Sequence, residues 1–138
     1  MTDQSKESTQ PAFAAQSLGA SLTVGSLRDS VAWYRDALGF MVDREHARDG
    51  QLFAVSLRAG DVRILLTQDN GAKGGDRVKG EGFSLQFTTL QDVDALAARA
   101  KRAGATFDTE PSDFRGARMF RLRDPDGFRL VISSPMNA

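Results

Sequence analysis

The sequence predicts an α+β fold in which a βαβββ unit occurs twice, giving a curved mixed sheet with a central cleft and helices on the outer face. Three observations carry that prediction. First, the chain repeats itself: Ser21-Leu22-Thr23-Val24-Gly25-Ser26-Leu27-Arg28-Asp29 resembles Ser84-Leu85-Gln86-Phe87-Thr88-Thr89-Leu90-Gln91-Asp92, 63 residues later. A second match, Val62-Arg63-Ile64-Leu65-Leu66 with Phe128-Arg129-Leu130-Val131-Ile132, follows in the same order at an offset of 66. Second, short runs alternate with the period of two that marks strands. Third, each half has one stretch with apolar residues at helical spacing, placed directly after its first strand.

The elements follow in order. Strands over Ala20 to Gly25 and Phe83 to Thr88 open the halves. Each leads into a helix whose start carries a hydroxyl and, three residues on, an acid: Ser26 with Asp29, and Thr89 with Asp92. That pattern is close to a capping box, in which a side-chain oxygen accepts from a backbone N–H left free at the helix start. Leu27, Val31, Tyr34 and Leu38 share one face of the first helix; Val93, Leu96, Ala97 and Ala100 share one face of the second. Gly39 and Gly104 stand where a left-handed cap closes a helix. Three strands complete each half: about 41–46, 51–58 and 62–67, then about 106–110, 118–123 and 128–133. Ala59-Gly60-Asp61 and Asp124-Pro125-Asp126-Gly127 supply turn residues between the last pairs.

Alternation divides each strand between two faces. Leu22, Val24, Val62, Ile64, Leu66, Leu85, Phe87, Phe128, Leu130 and Ile132 form an apolar set that packs under the helices. Burial is worth about 1.5–3 kcal/mol per large side chain, enough to drive collapse of a domain of this size. The opposite face holds Ser21, Thr23, Arg63, Leu65, Thr67, Ser84, Gln86, Arg129, Val131 and Ser133. From alternation alone it reads either as a solvated outer surface or as the lining of a wet cleft. In the second case these ten residues are the candidate ligand-binding site, and Arg63 and Arg129 project from repeat-related places.

Composition narrows the function. The chain has 138 residues, 41% hydrophobic and 26% charged, enough for one core. A net charge of zero gives no long-range pull toward nucleic acid or an anionic membrane. The absence of cysteine removes disulfides, thiol nucleophiles and thiolate metal sites, and is compatible with a reducing cytoplasm. No run approaches the ~20 apolar residues of a membrane span. Residues 1–16 are polar, lack a signal peptide's apolar stretch, and read as a disordered tail. The domain then occupies 17–138, with repeats at about 18–69 and 82–134.

Two segments carry a family pattern. Val24-Gly25-Ser26-Leu27-Arg28-Asp29-Ser30-Val31-Ala32-Trp33-Tyr34, continuing to Leu38-Gly39-Phe40, resembles the strand-and-helix opening of the vicinal-oxygen-chelate superfamily, which includes glyoxalases, bleomycin-resistance proteins and extradiol dioxygenases. Phe120-Arg121-Leu122-Arg123-Asp124-Pro125-Asp126-Gly127-Phe128-Arg129-Leu130 resembles its closing hairpin. The resemblance spans about residues 18–134, with Ser26 standing where an acid is usual. Enzymes of that superfamily hold a divalent metal with His or Glu from the first and last strand of each half. On this chain those positions fall at Gly19, within Gly82-Phe83-Ser84, at Leu65 and at Val131. None offers the imidazole or carboxylate a catalytic divalent ion requires. The resemblance therefore implies a member without the usual metal ligands and with no cofactor.

Other candidates are weaker. His46, the sole histidine, has no second imidazole to share a metal and reads as an exposed or half-buried structural residue. Gly71-Ala72-Lys73-Gly74-Gly75-Asp76 lacks phosphate-loop spacing and reads as the link between halves. Trp33 and Tyr34 read as core or interface aromatics. The arginines of 115–123, bracketed by Asp113 and Asp124, read as a solvated strand edge. The expected function is metal-independent binding of a small molecule, an antibiotic or metabolite, with an anionic or aromatic character. Two alternatives stand beside it: a glyoxalase-type lyase or isomerase, or a dioxygenase-like enzyme, with a non-standard metal site; and a non-catalytic dimeric interaction module. The resemblance implies a homodimer. The expected location is the cytoplasm, with no nucleic-acid or membrane partner.

Overall fold

Each half of the chain builds its own four-stranded sheet. The computed structural model describes residues 11–74 and 78–136. In the first half, β1 (Ala20–Val24), α1 (Leu27–Leu38), β2 (Met41–Arg48), β3 (Gln51–Ala59) and β4 (Val62–Gln68) give strand order β1-β4-β3-β2. In the second, β5 (Ser84–Thr88), α2 (Val93–Arg102), β6 (Thr106–Phe114), β7 (Ala117–Arg123) and β8 (Arg129–Pro135) give β5-β8-β7-β6. Because a helix intervenes, the first and last strands of each unit run parallel, β1 with β4 and β5 with β8, whereas hairpins make the other pairs antiparallel. The expected βαβββ unit thus occurs twice.

The registers match between halves. Ser21 faces Leu65 as Gln86 faces Val131, and Arg58 faces Arg63 as Arg123 faces Arg129. The tight turns match too: Asp49-Gly50 and Arg115-Gly116 are two-residue hairpin loops with both residues at positive φ, which fits the twist of antiparallel strands. Residues 11–19 carry no regular secondary structure and are exposed. The rest of the expected disordered tail, 1–10, and residues 75 and 76 of the Gly71–Asp76 link lie outside the described residues.

The helices cover the apolar face as the alternation predicts. Leu22, Val24, Ile64, Leu66, Phe128, Leu130 and Ile132 are buried with Tyr34, Leu57, Phe120 and Leu122, while Leu85 and Phe87 pack against that cluster from its border. Val62 departs from the expectation. It sits next to the β3–β4 turn and is 39% exposed. Trp33 is half-buried against the same core.

The capping of α2 is corrected. Ser26 caps α1 as expected, accepting from Asp29 N–H at 3.2 Å. In the second half the Thr89 hydroxyl bonds Gln91, accepting from its N–H and donating to its Oε1 in a turn, and Asp92 is the cap, accepting from Asp94 and Ala95 N–H. A carboxylate is the stronger acceptor and also faces the positive end of the helix dipole, so the helix starts three residues later than the hydroxyl suggests. The helix equivalence consequently runs at an offset of 66, pairing Leu27 with Val93 and Tyr34 with Ala100.

Polar contacts lock the halves together. Tyr34 donates its phenol to Asp124 Oδ2 at 2.8 Å, and Asp124 Oδ1 accepts from the backbone N–H groups of Asp126 and Phe128, both at 2.9 Å. Asp126 Oδ1 accepts from Gly25 N–H at 2.9 Å, and Lys79 Nζ stands 2.9 Å from Asp69 and 3.4 Å from Asp126. Arg99 of α2 donates to the carbonyls of Arg35 and Asp36 at the end of α1, both at 3.1 Å. The tyrosine of the opening segment and the first acid of the closing hairpin therefore meet in the core. Burial lifts the Asp124 carboxyl above the usual carboxylate range, against the lowering effect of its three donors. Burial first, then the Asp124 charge, pushes the Tyr34 phenol far above its ordinary value.

Candidate functional site

The helix-free face of each sheet collects the polar strand positions. On the second sheet the register lines up Ser84, Arg129 and Arg123 across β5, β8 and β7, and then Gln86, Val131, Arg121 and Thr109 across β5, β8, β7 and β6. Phe120 and Leu122, the intervening residues of β7, point the other way into the core. This alternation sets three guanidinium groups on one surface. They border a cavity of about 530 Å³ together with Phe83, Ser84, Gln86, Asp108, Thr109 and Val131.

The charges in this cavity are only partly matched. Arg123 Nε donates to Asp108 Oδ2 at 2.6 Å, a charge-assisted contact. Arg121 and Arg129 have no carboxylate partner among the described residues. Arg118, in the same strand, turns to the helix side and bridges Asp94 and Asp113. The bracketing acids Asp113 and Asp124 are therefore engaged elsewhere, and β7 lies inside its sheet. The expected solvated strand edge over 115–123 is corrected in one respect: β7 is an inner strand, while Arg121 is exposed and Arg123 half-buried on its helix-free face.

On the first sheet the corresponding face is quieter. Arg63 stands 3.5 Å from Asp43, which is also 3.7 Å from Arg58. His46 is half-buried on this face, with Nε2 3.2 Å from Ser56 Oγ, and Phe53 lies near its ring. A second cavity, of about 460 Å³, lies between the facing edges of β1 and β5. No backbone ladder joins those two strands.

The ten candidate residues divide accordingly. Ser84, Gln86, Arg129 and Val131 line the cavity on the second sheet. Ser21 and Arg63 line the seam cavity, where Ser84 and Gln86 also border. Thr23, Leu65, Thr67 and Ser133 are half-buried on the same helix-free faces and line neither cavity. Arg121, Arg123, Asp108 and Thr109 were missing from the sequence-derived set. The alternation of Phe120-Arg121-Leu122-Arg123 contains the signal for the two arginines.

The metal positions fail the fit. Leu65 and Val131 carry aliphatic side chains, and Gly19 and Gly82-Phe83-Ser84 offer at most a hydroxyl. No group of three or more His, Asp or Glu among the described residues is placed to hold a metal ion.

Comparison with known proteins agrees with this architecture. A family model for the glyoxalase/bleomycin resistance protein/dioxygenase superfamily matches residues 16–132. The chain belongs to that superfamily. Among solved structures it is similar to a hypothetical protein from S. aureus, with 22% identity, 88% of this chain and 95% of that one covered, and a TM-score of 0.70. It is similar to TioX from Micromonospora sp., with 18% identity, 88% and 100% covered, and a TM-score of 0.69. A mutant glyoxalase I from Zea mays shares 22% identity over 87% of this chain and 44% of its own, with a TM-score of 0.71. At these identities the likeness is one of fold. No match was found among curated protein sequences. No helix among the described residues is long and apolar enough to cross a membrane.

Proposed function

We propose that the protein is a metal-independent binder of a small molecule, held on the helix-free face of the second sheet. The observation that carries this reading is the cavity of about 530 Å³, a size suited to a small organic ligand. Ser84, Gln86, Thr109 and Arg129 offer hydrogen bonds around it, and Val131 and Phe83 offer apolar surface. The residues at the superfamily's metal positions support binding without a metal. A ligand with an aromatic or aliphatic body and an anionic group, an antibiotic or metabolite, fits this lining. Arg129 is favoured over Arg63 as the contact, because Asp43 already engages Arg63. By family resemblance the reading extends to a homodimer, and a cysteine-free chain is compatible with the cytoplasm.

A thermal-shift screen against aromatic carboxylates, phenolates, phosphates and divalent metals tests the proposal. A ligand that binds only the native state at one hundred times its Kd stabilises it by about 2.7 kcal/mol, a readily measured rise in melting temperature. Chelator treatment should leave the melting temperature unchanged. One tightly held divalent ion per chain, detected by elemental analysis, would overturn the metal-independent reading in favour of an enzyme of the glyoxalase type.

A further inference from the structure

We propose that the cavity on the second sheet is built for a dianionic head group, and that its ligand is a small organic phosphate monoester held between Arg121 and Arg129. This rests on the binding reading above and names the ligand class.

Arginine is placed here in excess of its partners. Arg123 and Arg129 are direct cross-strand neighbours, and like charges so placed repel. Asp108 relieves Arg123 alone. The first half shows the alternative: its equivalent pair, Arg58 and Arg63, shares Asp43, and Ser56 occupies the place that Arg121 takes in the second half. Each half carries three arginines on this face, the first with Arg44 on β2 opposite Ser56 and the second with Arg121 on β7 opposite Thr109. Only the second sets two without a carboxylate among the described residues, Arg121 and Arg129, as diagonal neighbours beside one cavity.

The geometry favours both charges on one head group. Arg121 faces Val131, two residues along β8 from Arg129, so the two arginines are diagonal neighbours on adjacent strands. Such positions are about 7–8 Å apart, a span that two long side chains close on a single group between them. A phosphate monoester carries a charge of about −1.5 to −2 at neutral pH and three acceptor oxygens, matching two guanidinium forks. Ser84, opposite Arg129, and Thr109, opposite Arg121, add hydroxyl donors beside the same site. Phe83, 46% exposed at the rim, offers a face to an aromatic or aliphatic body.

Titration calorimetry with phenyl phosphate, benzoate, phenol and inorganic phosphate tests this. Phenyl phosphate should bind at least about tenfold more tightly than benzoate, phenol or inorganic phosphate. Its affinity should fall as pH drops through about 6, where the second phosphate proton returns. Arg121→Met and Arg129→Met should each weaken it about tenfold or more, Arg→Lys less so because the charge remains without the fork. Arg63→Met should leave it unchanged. Unaltered melting temperatures show that the variants fold. Benzoate or phenol binding as well as phenyl phosphate overturns the dianion and leaves the binding function standing. Inorganic phosphate binding as well as phenyl phosphate overturns the ester in favour of the free anion. Unchanged affinity in both methionine variants overturns the site, and no binding of any probe, here or in the broader screen, overturns both proposals.

Discussion

Asp43 in the first half stands within 4 Å of two arginines, at 3.7 Å from Arg58 and 3.5 Å from Arg63, whereas Asp108, 65 residues on, meets Arg123 alone at 2.6 Å. Around these two acids the strands pair alike, each with a register shift at the acid. The helices diverge in the same way: Tyr34 fills the core of the first half where the second has Ala100, and only the second half has the long Asp124–Phe128 turn that receives the phenol. The repeated backbone has thus kept its strand order and its two-residue β2–β3 and β6–β7 turns, while its last turn and its side chains took separate tasks. Backbone pairing depends on alternation and turn chemistry, which tolerate many side chains; charge pairing depends on single residues, so it is where the halves can differ.

The largest effect expected from breaking this asymmetry is at the junction. Tyr34→Phe removes one donor from a buried carboxylate and should cost about 1.5–3 kcal/mol in urea unfolding at neutral pH. Loss of less than about 0.5 kcal/mol would show that the contact is not what joins the halves. Asp124→Asn sharpens the same point through pH. Because burial raises the native Asp124 carboxyl, the native state binds its proton more tightly than the unfolded chain. That contribution is complete below the ordinary carboxylate value near 3.8 and is lost as pH rises through the raised one. The variant, which has no such proton, should gain on the wild type as pH rises through that window. Unfolding curves from pH 3 to about 7 would show a constant difference if the carboxyl were unshifted.

Smaller effects follow within single elements. Ser30 is buried on α1 and its Oγ has no hydrogen-bond partner among the described residues, so Ser30→Ala should stabilise by up to about 1 kcal/mol, read as a higher urea midpoint. At the paired turns, Asp49 suits the left-handed region better than Arg115 does, since a short polar side chain bonds locally there. Arg115→Asn should therefore stabilise by about 0.5 kcal/mol, and Asp49→Asn should change little. A reversed order would mean that the stacking of Arg115 on Phe114 outweighs the backbone term.

Much of this fold was legible because repeat and alternation point the same way. Leu22, Ile64, Leu66, Leu130 and Ile132 were assigned to the core from periodicity and are buried there. Of the ten residues read as a cleft lining, Ser84, Gln86, Arg129 and Val131 border the cavity on the second sheet. The face of β7 went unread because its arginines were balanced against acids near in sequence; the balance that counts is across the sheet. Asp43 and Asp108 were harder to find. Each lies at a register shift in its strand, between Val42 and Arg44 and between Phe107 and Thr109, where an extra residue breaks the alternation that would reveal its face. Thr89 misled for another reason: hydroxyl and carboxylate stand three residues apart, and only the energetics of capping chooses between them.

The hydrogen bond from Tyr34 to Asp124 runs one way, and ancestry and dissection are read in that direction. A protein made of two copies of the first half would present two phenols to turns too short to receive them. Two copies of the second would bury carboxylates opposite alanine. The symmetric pairing from which a duplicated gene sets out is therefore closed to either half as it now stands. Cleaved between residues 71 and 72, the chain should yield two fragments that associate with each other rather than with copies of themselves, which size-exclusion chromatography of each fragment and of their mixture would check.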